Sequence, residues 1–217
     1  MLSNEAGGQA PEDAPVLLPE RVFGGVQRIA VLGAECTGKS QLCHALAQIL
    51  PGLVLAEVLR EWVSGAGRTP NPEEQWQVFE RQQQAERHAI LESERTGHRW
   101  VLCDSAPLMT AIYSLHYFAD DRLLAPALAH HAGYALTLVC ADDLPWMPDP
   151  GQRDGECVRL AVQARLHEIV RQHYPQAVAV SGLGPQRLKR ALEGLGFAPA
   201  GPAHLPEQAL QGLEQRT

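Results

Sequence analysis

The residues best suited to chemistry in this chain are of the types that handle phosphate. Gly33-Ala34-Glu35-Cys36-Thr37-Gly38-Lys39-Ser40 fits G-x-x-x-x-G-K-[ST] at every fixed position. Glycines let the backbone turn tightly, so that successive N–H groups point inward and a lysine and a helix N-terminus can meet a polyphosphate. Gly33, Ala34, Glu35, Cys36, Thr37, Gly38, Lys39, Ser40 and Gln41 are therefore the candidate nucleotide-binding residues. Two carboxylates follow at the ends of apolar runs, Glu57 after Leu53-Val54-Leu55-Ala56 and Asp104 after Trp100-Val101-Leu102-Cys103. An acid in the position of Asp104 can hold Mg²⁺ through water while the Ser40 hydroxyl supplies a direct ligand, and the ion screens the repulsion of the phosphates. A carboxylate at the place of Glu57 can meet an acceptor hydroxyl beside a bound triphosphate. The competing roles are helix capping for Asp104, and capping or simple solvation for Glu57.

These residues need elements to position them. A phosphate cradle of this kind counts as a site only between a strand and a helix. Arg28-Ile29-Ala30-Val31-Leu32 is apolar and of strand length, and residues 41–50 repeat apolar side chains at helical spacing before Pro51-Gly52. Further strands are expected at residues 53–56, 99–104, 134–140 and 177–181. Helices are expected over Glu73 to about Glu94, Ser105 to Leu115 with Pro107 in the first turn, Arg122 to His131, Glu156 to His173 and Gln186 to Leu195. Residues 64–72 read as a loop. Strand and helix patterns alternate throughout, which implies an α/β three-layer sandwich of P-loop NTPase type, with a five-stranded, mostly parallel sheet and helices on both faces.

The segment from Ala141 to Gly155 is too rich in Pro, Gly and Asp for helix or strand and is expected to be a lid loop. Arg153 within it, with Arg159 and Arg165 in the helix beyond, could close over the phosphates and neutralise charge on the transferring group, or could stay solvated. Residues 1–20 read as a mobile leader, residues 21–196 as the nucleotide-binding domain, and residues 197–217 as a partly ordered tail.

Composition removes several function classes. The formal net charge of −7 over 217 residues argues against a broad basic surface for nucleic acid. No run of 18 or more apolar residues is present, and no signal peptide is visible, which leads to an expectation of a cytoplasmic protein with no membrane association. The 5 cysteines form no C-x-x-C and imply no disulfide framework. Of these, Cys36 lies where a phosphate would be close and where positive surroundings could lower a thiol pKa, with an inert thiol as the other reading. His130-His131 does not read as a metal pair, since adjacent helical residues point about 100° apart.

Over most of residues 28–195 the sequence resembles the ribosylnicotinamide kinase domain of NadR-type proteins of NAD biosynthesis, a branch of small P-loop kinases. The resemblance rests on GAECTGKS, on an E-x-x-R-E-W segment (Glu57, Arg60, Glu61, Trp62), on Asp104 with Ser105 and Thr110, and on Leu144-Pro145-Trp146 with Asp149, Gly151, Arg153 and Asp154. The chain departs from that family at Ala106, where a second acid is usual, at Val58 in place of an aromatic, and at Pro150, which splits the Asp-Gly of the lid. No nucleotidyltransferase domain of the kind that accompanies the kinase in NadR proteins is recognisable.

The resemblance implies an ATP-dependent kinase acting on a small hydroxyl acceptor, foremost the 5′-hydroxyl of nicotinamide riboside or a related nucleoside. Lys39 and the cradle amides would hold the β- and γ-phosphates, Ser40 and Asp104 the Mg²⁺, Arg153 the transferring group, and Glu57 the acceptor hydroxyl. Arg60 and Trp62 are the further candidates for acceptor contact, although core packing also accounts for Trp62 and for Trp76. A regulatory or assembly ATPase working through a protein partner is the alternative, and a nucleotide-binding module without catalysis is a third reading. The oligomeric state is not legible.

Overall fold

Alternating side chains along β1 (Gln27–Leu32) dictate a layered molecule, because Ile29 and Val31 are buried on one face and Ala30 and Leu32 on the other. A strand apolar on both faces must be covered twice. A computed structural model of the chain, describing residues 25–147 and 155–196, supplies both covers. The calls that fall elsewhere, the leader at 1–20, the tail at 197–217 and the lid residues Asp149, Pro150, Gly151, Arg153 and Asp154, lie outside the described residues.

The elements follow in the order β1, α1 (Lys39–Ile49), β2 (Gly52–Leu55), α2 (Val58–Ala66), α3 (Pro72–Thr96), β3 (Trp100–Asp104), α4 (Pro107–Phe118), α5 (Leu124–His131), β4 (Leu136–Cys140), α6 (Glu156–His173), β5 (Val178–Val180) and α7 (Pro185–Gly194). All strand pairs are parallel, in the order β2-β3-β1-β4-β5. Ile29, Val31, Leu102, Leu138 and Val180 pack with Leu42 and Leu46 of α1 and Leu188 and Leu192 of α7. On the opposite face Ala30, Leu32 and Val139 meet Leu108, Met109 and Ile112 of α4, Ala127 of α5, and Val162 and Leu166 of α6. The expected sandwich is therefore the one observed, with a sheet that is parallel throughout among the described residues.

The main difference from expectation is α2. Ser64-Gly65-Ala66 read as loop, yet they complete a helix that ends only at Gly67, whose φ of 67° lets its N–H reach Val63 O at 2.8 Å. Gly65 disfavours helix locally, but the left-handed cap behind it outweighs that preference. A capping box starts α3: Asn71 Oδ1 accepts from Glu74 N at 2.9 Å and Glu74 Oε2 accepts from Asn71 N at 2.8 Å. Among the described residues no helix is long and apolar enough to cross a membrane.

Parallel strands place every strand C-terminus on one edge of the sheet, and the register puts Val31 beside Asp104. The turn after β1 lies between strands whose connections run to opposite sides, the usual ligand crevice of such sheets.

Candidate active site

The turn from Gly33 into α1 is shaped by contacts that leave little choice of residue. A Cβ on Gly33 would stand 2.5 Å from Thr37 Oγ1, and one on Gly38 would stand 2.8 Å from Leu144 Cδ1. Gly38 also has a φ of 75° as the N-cap of α1, and Cys36 is held at a φ of 55°. Thr37 Oγ1 donates to Ala34 O at 2.7 Å, and Lys39 Nζ donates to the same oxygen at 2.8 Å. The lysine therefore lies over the loop rather than out in solvent, and Lys39 is buried. Ala34 N donates to Gln163 Oε1 at 2.8 Å, so this one amide of the predicted cradle is engaged by the protein.

Opening from the turn is a cleft of about 1000 Å³. The cradle residues from Ala34 to Gln41 form one wall, and Glu57, Leu59, Arg60 and Val63 form another. Glu57 follows β2 after one residue, Ala56, and is the N-cap of α2, where its side chain caps no amide. Its Oε1 accepts from Ser105 Oγ at 3.4 Å, and its Oε2 lies 3.9 Å from Arg60 Nη2. The carboxylate, 17% exposed, is thus turned into the cleft and only loosely held, in keeping with a group meant to meet a hydroxyl. Tyr113 and Tyr117, one helical turn apart on α4, stack at 6.3 Å on the same side. Burial, and next the charge of Glu57, push the Tyr113 phenol well above its ordinary range.

Asp104 ends β3 beneath the cleft rather than lining it, and is 6% exposed. Its Oδ1 is buried without a hydrogen-bond donor among the described residues. A buried carboxylate oxygen left in that state is costly unless a cation or a cation-bound water meets it, so Asp104 with the Ser40 hydroxyl fits a Mg²⁺ ion. The same chemistry suits a hard cation better than a soft one, the donors being oxygen alone.

The lid side of the cleft contains Leu144, Pro145, Met147, Val158, Arg159 and Val162. Arg153 lies outside the described residues. Arg159 lines the cleft but is 2% exposed, and its Nη2 donates to Asp142 O at 2.5 Å and Leu144 O at 2.8 Å. Its Nε is buried without a partner among the described residues. Arg159 thus fastens the loop while bringing a positive charge to the cleft. Arg165 does not line it. Cys36 Sγ donates to Met147 O at 3.5 Å, which places that thiol against the same loop.

One predicted contact is corrected. Trp62 is absent from this cleft and lines a separate groove between α2 and α3 with Val58, Glu61, Arg81 and His88. Residues 59, 60 and 63 share one face of α2, and residues 58, 61, 62 and 65 share the other, so helical geometry separates Arg60 from Trp62. The Arg81 guanidinium lies 4.8 Å from the centre of the Trp62 ring. Trp76 meets Phe79 edge-on in the core.

A match to the family model described as AAA domain covers residues 28–187. The chain belongs to this AAA domain family. The family model ends at Arg187, so it spans the whole cleft together with the strands that build it. Among solved structures this AAA domain chain is similar to a NadR protein in complex with NR, at 17% identity and a TM-score of 0.66, covering 81% of this chain and 54% of the other. It is similar also to a NadR protein in complex with NAD and AMP-PNP, at 17% identity and a TM-score of 0.64, covering 81% and 51%. A thymidylate kinase from Ehrlichia chaffeensis matches at 15% identity and a TM-score of 0.52, covering 73% and 89%. At these identities the likeness is one of fold, a P-loop kinase-like fold, and the chain spans about half the length of the NadR chains. No curated protein matches the sequence.

Sequence reasoning missed Gln163, Arg187 and the tyrosines of α4. Gln163 left a signal, a lone amide amid Val162, Leu166 and Ile169, whereas Arg187 is one basic residue among three in Arg187-Leu188-Lys189-Arg190 and left none.

Proposed function

We propose that this AAA domain chain, with residues 21–196 as its catalytic unit, is an ATP-dependent phosphotransferase for a small hydroxyl acceptor, most specifically the 5′-hydroxyl of nicotinamide riboside or a related nucleoside. The observation that carries the reading is the continuity of the cleft. The phosphate cradle opens directly onto a second compartment holding a carboxylate, Glu57, and an aromatic wall, Tyr113 and Tyr117. An ATPase that passes phosphate only to water has no use for such a compartment. The folds of the NadR structures, one in complex with NR and another with NAD and AMP-PNP, support the same choice of acceptor.

In such a transfer the protein mainly positions groups and neutralises charge. Lys39 leaves Ala34 O to meet the β- and γ-phosphates, which the amides from Glu35 to Ser40 surround. Ser40 and Asp104 would hold Mg²⁺, whose charge would offset that of the phosphates. Arg159, in the cleft wall, would bring its positive charge toward the transferring group, the role also expected of Arg153. Glu57 accepts the hydrogen bond of the acceptor hydroxyl and takes its proton as the new O–P bond forms and the bond to the ADP oxygen breaks. Arg60, whose Nη2 lies 3.9 Å from Glu57 Oε2, would meet acceptor oxygens beside that carboxylate.

An acceptor screen with ATP and Mg²⁺ tests the proposal, following ADP release and product mass across nicotinamide riboside, other nucleosides and small alcohols. A nucleoside that accelerates ADP release and gains one phosphoryl group is the expected result. Hydrolysis that no nucleoside accelerates overturns it, and recovery of a protein partner under those conditions would favour a regulatory ATPase.

A further inference from the structure

Arg187 is the largest fully buried side chain of the described residues, at 2% exposure, and is a cation in the middle of a backbone crossing. Its Nε donates to Gly182 O at 3.1 Å, its Nη1 to Val180 O at 3.3 Å and to Thr37 O at 3.0 Å, and its Nη2 to Ala141 O at 3.3 Å. The same Nη2 pairs with Asp143 Oδ1, while Asp143 Oδ2 accepts from Gly182 N at 2.5 Å. One guanidinium therefore ties together the phosphate cradle, the loop after β4 and the turn after β5. Burying a full charge is expensive unless its donors are satisfied, and here the fork geometry of arginine uses all three nitrogens.

The contact with Thr37 has a consequence for chemistry. The Thr37–Gly38 peptide is trans, so its C=O and N–H point in opposite directions. A cation that holds the carbonyl on the α7 side turns the Gly38 N–H toward the cleft. A charge-assisted bond to the carbonyl also polarises the peptide and strengthens its N–H as a donor.

We propose that Arg187 is a positioning residue for nucleotide phosphate, fixing the Thr37–Gly38 peptide so that the Gly38 N–H faces the polyphosphate and locking that peptide to the base of the lid loop through Asp143. This rests on the nucleotide reading of the cradle and is independent of the acceptor. Arg187 touches no substrate and acts through the backbone. Asp143 balances the buried charge, so the stability role and the phosphate role of Arg187 are separable by substitution.

The test is calorimetric binding of ATP with Mg²⁺, and separately of inorganic tripolyphosphate with Mg²⁺, to the full chain, together with thermal melting. Arg187→Gln is expected to weaken both probes roughly tenfold, the order lost with one hydrogen bond to a charged group. It also lowers the melting temperature by leaving the Asp143 charge without its cation and buried carbonyls without their donor. Adding Asp143→Asn to that variant restores part of the lost melting temperature without restoring affinity. Recovery of affinity together with stability in the double variant reduces Arg187 to a structural residue and overturns the proposal, as does undiminished binding by Arg187→Gln. Should Arg187→Gln not fold, Arg187→Lys keeps the charge but not the fork. It is expected to melt near the wild type yet bind several-fold more weakly, and equal binding overturns the proposal. A wild-type chain that binds neither probe removes the kinase reading itself, an outcome distinct from either of these.

Discussion

Two carboxylates at strand ends have been given opposite treatment by their surroundings. Asp104 is sealed beneath the cradle with an oxygen that no described residue satisfies, whereas Glu57 faces the cleft with only a 3.4 Å contact from Ser105 and a 3.9 Å approach from Arg60. A buried, unsatisfied oxygen suits a hydrated cation, and a loosely held one suits a proton acceptor that must rearrange as its substrate arrives. Replacing Glu57 by Gln preserves shape and hydrogen-bonding reach but removes the base. The expected outcome is a fall in kcat of about 10²-fold with ATP affinity nearly unchanged. Steady-state kinetics on the accepted nucleoside, paired with calorimetric ATP binding, check this, and a parallel loss of ATP affinity would return Glu57 to a structural role. Ala106, where the resembling family carries a second acid, is buried among Leu108, Met109 and Leu32, so no charge replaces the missing one at that position.

At the level of elements, α2 divides the acceptor question in two. Its nine residues turn Leu59, Arg60 and Val63 to the cleft and Glu61 and Trp62 to the groove against α3. The E-x-x-R-E-W pattern is visible in the sequence, but without knowledge that residues 58–66 are helical its two halves cannot be assigned to different faces. Tyr113 and Tyr117 show the converse case. Their spacing of one turn on α4 was available, yet apolar spacing on a buried helix usually means core, and only the fold places these rings beside Glu57. The comparison can be made quantitative. Tyr117→Ala is expected to raise the acceptor KM about tenfold, the order of a lost aromatic stacking contact, while Trp62→Phe leaves it near wild type. Equal effects from both variants would mean that α2 does not separate the two surfaces in solution. Gly33 through Ser40, Asp104 and the strand-helix alternation were legible because each is a local pattern. Arg187 was not, because its partner Thr37 lies 150 residues away and the bond exists only once β5 has docked beside β4.

Across the whole molecule a second polar center, apart from the cleft, joins α3 and α5 to the start of β1 and the turn before β4. Glu86, fully buried in α3, accepts from Arg28 Nη1 at 2.6 Å and from Tyr134 Oη at 2.5 Å, and lies 2.8 Å from His130 Nε2. Burial raises its pKa, but the hydrogen bonds from His130 and Tyr134 and the charges of His130 and Arg28 outweigh burial and lower it overall. Beside it His131, 2% exposed, lies 2.9 Å from Thr137 Oγ1 through Nε2 and packs on the rings of Tyr134 and Tyr174. Burial is the main cause that takes the His131 pKa from 6.5 to about 4, with Glu86 opposing and His130 and Arg28 assisting. Because the folded pKa is the lower one, the unfolded chain binds the proton first as pH falls. The His131 contribution is therefore complete above pH 6.5 and is lost between 6.5 and about 4, a change of about 3 kcal/mol. Glu86 follows the same sign in a lower window, its contribution being lost only as pH falls below the ordinary carboxylate value of about 4.3. Acid should thus loosen this center, and urea midpoints taken from pH 7 down to about pH 2 should decline in two stages. In His131→Gln the stage between pH 6.5 and about 4 should flatten while the lower stage remains. An unchanged profile would mean that His131 is protonated in the folded chain and that the burial of α5 against β4 does not control its charge.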